Sequence, residues 1–354
     1  MASPRKIGVL TFHKCINYGS YWQSRCLVEG LRARGHDAEL LDHDCGRVNY
    51  AEWRCALQPQ LPQPTPRSDF PRLKAKARKF FDAFKRLPMS PRFPLHHPDA
   101  SPSYDAILVG SDEVWNFRHP WYSAAPIFFG DGLKADRLAS YAASFGNHQA
   151  SDGLDAPWAE KLRRFAALSV RDDNSRNLLR GMGSEADIVL DPCLQFPEMP
   201  RAHAGDGGGY ALVYGFGFPQ WLSDAARRWS EGRGSRLLSI GYRNAWADEN
   251  RLDAGPQEFA ELAGGADAVI TNFFHGCVFA LLNRKPFVAH ADGYRSTKIN
   301  DLAAMLGAGH RLVGEATADD EFADLLAAPP EPHIVAAIAA RRAHSQVFLD
   351  AALS

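Results

Sequence analysis

"ITNFFHGCVFALLNRKPFVAH", residues 270–290, decides the fold. The stretch "DAVITNF" that contains its start reads as a β-strand, "CVFALL" has the apolar density of a helix, and "PFVAHA" reads as another strand. Strand, helix and strand in succession make a crossover unit, and crossover units build parallel sheets. The junction before the helix carries His275 and Gly276. A glycine at that point lets the chain turn tightly and admits a ligand to the backbone, while "CVFALL" anchors the helix in a core.

The same rhythm runs outward in both directions. "KIGVLTF" (6–12) and "GSYWQSRCLVEGLRARG" (19–35) form an opening strand and helix, which Gly35 closes. "AELLDHD" (38–44), "DAILVGS" (105–111), "LASYAASFG" (138–146), "ALSVRD" (167–172) and "DIVLDP" (187–192) read as further strands. Helical patterns such as "APWAEKLRRFAAL" and "NSRNLLRGM" fall between some of them. After the glycine-rich "HAGDGGGY" (203–210), "YALVYGFG", "RLLSIGY", "DAVITNF" and "PFVAHA" restart the alternation.

A chain of 354 residues exceeds what one core usually supports. The reading is an N-terminal Rossmann-like α/β domain over 1–198, a second over 206–332 and a C-terminal helix over 333–354 that packs back. Residues 52–103 interrupt the first domain as a proline-rich insertion with a basic, aromatic helix, "RLKAKARKFFDAFKRL". That insertion reads as a solvated helical face or as a peripheral contact with an anionic membrane.

With 45% hydrophobic and 23% charged residues the chain has the composition of a soluble globular protein. The formal net charge of −1 gives no global field for nucleic acid, so an anionic partner needs a local basic cluster. Six scattered cysteines without a C-x-x-C pair, and no apolar signal region, lead us to expect reduced thiols in the cytoplasm. No apolar run approaches the roughly 20 residues needed to span a bilayer. No metal-ligand spacing is present, and we expect neither metal nor cofactor.

In open α/β sheets ligands bind beyond the carboxyl ends of strands, so the informative residues follow strands directly. "HKCINYGS", "GSDEVWN", "SFGN", "SVRDDNS" and "TNFFHG" do so. Gly19 reads as a ligand approach or an ordinary βα turn. Ser111 and Asp112 end an apolar strand; Asp112 orients a hydroxyl or takes its proton, or caps the next segment. Arg171 is a fork for carboxylate or phosphate, or an ion pair with Asp172 and Asp173. His275 is a proton donor to a bound substrate, or a buried, hydrogen-bonded histidine.

Taken in order, "INYGS", "GSDEVWN", "YAASFG", "SVRDD", "VLDP" and "FFHGCVFALLNRKPFV" resemble the polysaccharide pyruvyl transferase family, over roughly residues 6–307. The resemblance implies two Rossmann-like domains facing a central cleft, the GT-B arrangement. It implies transfer of the pyruvyl group of phosphoenolpyruvate to hydroxyls of a sugar or glycan, free or lipid-linked, to form a ketal with release of phosphate. By motif position His275 is the general acid that contacts phosphoenolpyruvate, and Arg171 is the motif arginine. Some members carry an arginine two residues before that histidine, where this chain has Phe273. Arg295 and Lys298 are candidate replacement cations. Asn17 and Gly19 belong to the family's N-x-G-D loop, in which Ser20 replaces the acid and is expected to cap the helix. Arg171, Lys298 and the helix start at Phe274 are the expected donor contacts, with Gly276 beside them, and Asp112 is the expected hydroxyl base. Two other readings stay open: a glycosyltransferase using a nucleotide sugar, and a non-catalytic glycan- or anion-binding protein. Peripheral attachment at the inner membrane face remains open with them.

Overall fold

A computed structural model describes residues 4–198, 208–293 and 296–354. The chain divides into two compact units. Their elements in chain order are β1 (Lys6–Leu10), α1 (Tyr18–Ala33), β2 (Asp37–Leu40), β3 (His43–Asp44), α2 (Gly46–Leu57), α3 (Phe70–Phe84), β4 (Phe93–Pro94), β5 (Tyr104–Val109) and β6 (Ala135–Ser140). There follow α4 (Ala156–Arg163), β7 (Ser169–Val170), α5 (Asp173–Gly181), β8 (Asp187–Ile188) and α6 (Pro192–Gln195). The remainder are β9 (Tyr210–Tyr214), α7 (Gln220–Arg233), β10 (Arg236–Ile240), β11 (Glu249–Arg251), α8 (Pro256–Gly265), β12 (Ala268–Thr271), α9 (Phe274–Leu282), β13 (Phe287–Ala289), α10 (Ser296–Leu306), α11 (Asp319–Ala327) and α12 (Pro332–Ala352).

The first unit is built on a parallel sheet in the order β2-β1-β5-β6, extended through isolated bridges to the parallel pair β7-β8. β1 and β5 are apolar on both faces and all but fully buried, as a sheet covered by helices requires. The second unit has the parallel order β11-β10-β9-β12-β13. Both are α/β units of the expected Rossmann-like kind. In each, strand order reverses around the first strand, between β1 and β5 and between β9 and β12. In sheets of this order, ligands bind beyond the carboxyl ends of the strands at the reversal.

The structure corrects the reading of the insertion. Trp53–Ala83 belongs to the second unit, and only Phe84 onward returns to the first. The cause is long-range packing: Leu57, Leu73 and Leu252 bury together against Phe70. Ion pairs Arg72–Asp253 (3.1 Å) and Lys79–Glu258 (2.6 Å) and the pair Arg243–Asp69 surround that cluster. The Arg72 and Lys79 pairs are partly exposed and contribute little, about 0–1 kcal/mol each, whereas Asp69 is buried and held by two hydrogen bonds from Arg243, so that pair and the apolar contact are the main anchors.

α12 begins with the second unit, and from Ala339 it belongs to the first. There Ser345 Oγ accepts from Leu190 N (2.9 Å), Arg342 donates to Leu194 O and Arg137 donates to Ala352 O. The terminal helix therefore packs back onto the first unit. The glycine-rich stretch read as the domain boundary lies mostly outside the described residues, and the division falls at Met199. Among the described residues no helix is long and apolar enough to cross a membrane.

Candidate functional site

At the first unit's reversal point a buried network ties β1, α1 and β5 together. Thr11 Oγ1 donates to Ser111 O (2.7 Å), Gln23 Nε2 donates to Thr11 Oγ1 (3.1 Å), and the Ser111 hydroxyl donates to Gln23 Oε1. Ser111 is fully buried, so it holds the loop in place and presents nothing to solvent. The chain then turns through Asp112 at φ +80°, a conformation that ordinary residues rarely hold and that costs on the order of 1–3 kcal/mol. Its surroundings fix it there: Ser20 Oγ donates to Asp112 Oδ2 (2.8 Å), while Glu113 N (2.9 Å) and Arg171 Nη2 (3.2 Å) donate to Oδ1.

Asn17 is the actual N-cap of α1, accepting from Ser20 N (3.2 Å). The expectation that Ser20 caps the helix is corrected: its hydroxyl is turned to Asp112 instead. Gly19 lies within the first turn of α1, and its conformational freedom is unused. Arg171 pairs with Asp112 and, at 3.8 Å, with Asp191. Asp172 caps α5 through Ser175 N (2.7 Å) and accepts from Ser144 Oγ, while Asp173 pairs with Arg176. The Arg171 side chain is only 2% exposed. Burial opposes its charge, but the Asp112 and Asp191 carboxylates outweigh that penalty and hold its pKa above the usual guanidinium value.

Two further charged groups of this loop region are absent from the sequence reading. Glu52, at the end of the first unit's share of α2, accepts from Ile16 N (3.2 Å) beside Cys15. Burial, with the Asp112 charge adding, pushes its carboxyl up to about 7 despite the hydrogen bonds from Cys15 and Ile16. Asp42 accepts from His13 (3.1 Å), Lys14 and Arg92 (3.3 Å). Burial disfavours its charge, yet the bonds from His13 and Lys14 prevail and hold it well below the carboxylate range. The basic residues of "HKCINYGS" are thus engaged with Asp42.

In the second unit the reversal point is aromatic. Phe273 is the N-cap residue of α9 and lends the helix no side-chain cap. Its ring meets Tyr214, Phe216 and Tyr242 edge-on at 5.0, 5.7 and 5.2 Å. Phe274 opens the helix and packs against His275, which is partly exposed in the first turn. Thr271 Oγ1 donates to Tyr214 O (2.6 Å) and accepts from Phe273 N (3.0 Å), joining β12 to β9 and to the helix start.

Gly276 does not serve the role expected of it. It is buried within α9, and a Cβ there would meet Thr271 Oγ1 at 2.0 Å, so the missing side chain makes room for the strand and not for a ligand. Lys298 lies partly buried in the first turn of α10. Arg295 lies outside the described residues.

Of the expected residues, the structure brings Asp112, Arg171 and Ser111 together with Asn17 and Gly19 in the first unit, and Phe274, His275 and Gly276 in the second. The family pattern of polysaccharide pyruvyl transferases matches residues 17–291, which spans both groups. The chain belongs to the polysaccharide pyruvyl transferase family. No curated protein matches the sequence significantly. Among solved structures, this polysaccharide pyruvyl transferase family member is similar to a UDP-N-acetylglucosamine 2-epimerase, described as putative, from Listeria monocytogenes (12% identity, 98% of each chain, TM-score 0.48). It is also similar to the UDP-GlcNAc 2-epimerase of Methanocaldococcus jannaschii (10% identity, 97% of this chain and 99% of that one, TM-score 0.48). An Arabidopsis thaliana protein complexed with UDP-L-rhamnose is a third (14% identity, 99% of each chain, TM-score 0.49).

Proposed function

We propose that the protein transfers the pyruvyl group of phosphoenolpyruvate to two hydroxyls of a sugar or glycan, forming a ketal. Family membership together with a partly exposed His275 at the helix start after β12 is the observation that carries this reading. One hydroxyl adds to C2 of the enol while a proton passes to the C3 methylene, which becomes the methyl group. The second hydroxyl then displaces phosphate from the same carbon, its proton leaving with the phosphate. No electrons are gained or lost, so the reaction asks for positioned acids, bases and cations and needs no redox partner.

His275 is the proposed donor of the C3 proton. In the first unit Asp112, set by Ser20 and Arg171, is the proposed partner of an acceptor hydroxyl. The arrangement of Arg171 supports a role in fixing Asp112 more than direct contact with the donor, since both its carboxylate partners lie within the protein.

The test is incubation with phosphoenolpyruvate and a panel of saccharides, following inorganic phosphate and the mass of the acceptor. Phosphate release coupled to a gain of the pyruvyl ketal supports the proposal. Release of a nucleoside diphosphate from a nucleotide sugar, with phosphoenolpyruvate inert, overturns it in favour of glycosyl transfer.

A further inference from the structure

The chemistry above leaves unused the segment that the second unit takes from the middle of the first. Along α3, Arg72, Lys76 and Lys79 recur at helical spacing and so share a face. The outer two meet carboxylates, Asp253 and Glu258, at partly exposed positions. Lys76, between them, is only 3% exposed. Its Nζ donates to Gly241 O (3.4 Å) and stands 5.2 Å from the centre of the Tyr242 ring and 6.0 Å from that of Phe80.

Gly241 is the first residue beyond β10, the strand beside β9. The ammonium therefore sits at the carboxyl end of the sheet, where this architecture binds ligands. Tyr242 leads from it to the reversal point, since its ring packs 4.9 Å from Phe216 and 5.2 Å from Phe273, the residue two before His275. Phe216, Tyr242 and Phe273 are each partly exposed, so the group forms a surface and not a closed core.

Placing an ammonium here has a cost. Burial lowers the Lys76 pKa to about 8, which still leaves the group mostly charged at neutral pH. A methionine would fill comparable space with no charge to desolvate. What lysine adds at this position is the charge, and a charge in a desolvated setting attracts an anion more strongly than one on the surface.

We propose that Lys76 is the counter-charge for an anionic ligand bound at the second unit's reversal point against Tyr242 and Phe273. The ligand class is a small molecule bearing phosphate or carboxylate, and its identity as phosphoenolpyruvate rests on the function proposed above. The insertion thereby becomes part of the donor site: α3 delivers a cation where Phe273 offers none.

Calorimetric titration of the full chain with phosphoenolpyruvate, and separately with inorganic phosphate, tests this. Lys76→Met should weaken phosphoenolpyruvate at least about tenfold, Lys76→Arg should retain part of the affinity, and the unfolding midpoint of the Met variant should not fall. A folded Lys76→Met protein with wild-type affinity overturns the proposal. If the Met variant does not fold, Lys76→Gln is compared with Lys76→Arg, and equal affinities overturn it. Wild-type protein that binds neither anion also overturns it. Binding of phosphoenolpyruvate that depends on Lys76, with no ketal formed from any acceptor, sustains the anion site while removing the proposed reaction. Binding of inorganic phosphate alone, lost in Lys76→Met, sustains the site and removes the donor assignment.

Discussion

The space left by the side chain that Gly276 lacks is occupied by Thr271: a Cβ on the glycine would lie 2.0 Å from the threonine hydroxyl oxygen and 2.6 Å from its Cβ. That hydroxyl also bonds Tyr214 O and Phe273 N, so one glycine governs how closely α9 sits on β12 and where its first turn begins. Gly276→Ala should therefore destabilise the protein by about 1–3 kcal/mol, the usual cost of overpacking, in chemical denaturation. An unchanged midpoint would mean that the helix can slide off the strand at no cost.

His275→Ala should leave the unfolding midpoint near that of the wild type, because the side chain is only partly buried, while lowering turnover about 100- to 10,000-fold. Turnover and folding are measured on the same preparation. A variant as active as the parent removes His275 from proton transfer.

Arg171→Ala should act mainly on stability. It leaves Asp112 and the fully buried Asp191 without their shared cation, a loss of about 3–5 kcal/mol by analogy with broken buried pairs. Urea denaturation reads this directly. A variant of wild-type stability with only a raised KM for phosphoenolpyruvate would restore the arginine as a donor contact.

The difference between expectation and structure at these residues has a common physical origin. Strand and helix periodicity is local, so the β1-α1 unit, the "AILVG" strand and the β12-α9 junction with His275 were legible from the residues alone. The partners of Arg171 were not, because Asp112 and Asp191 are remote in the chain and nothing local favours them over Asp172 and Asp173. The insertion was misassigned for the same reason: the residues that hold it, Arg243, Asp253 and Glu258, lie more than 170 positions away. Nothing local in "YAEWRC" or "RLKAKARKF" marks Glu52 or Lys76 as different from a surface charge. Only tertiary contact makes them buried.

Glu52 has a pH signature. Its folded pKa is raised from 4.5 to about 7, so protonation favours the folded state. The stabilisation is complete below about 4.5 and is lost as pH rises through about 7. Glu52→Gln, which stays neutral, should gain stability relative to the wild type on going from about pH 5 to about pH 8, by on the order of 3 kcal/mol. Parallel pH profiles for the two proteins would show that the carboxyl titrates normally.

The chain passes between its two units at residues 52/53, 83/84, 199/200 and 338/339. Neither unit is a continuous piece of polypeptide, and the gene cannot be cut once to yield both. A fragment ending near residue 198 would carry Trp53–Ala83 without the sheet it packs on, and would lack the last turns of α12 that bond Leu190 and Leu194. The first unit therefore closes only once residues 339–354 have been made and have met Leu190 and Leu194, so its folding waits on a segment synthesised long after its sheet.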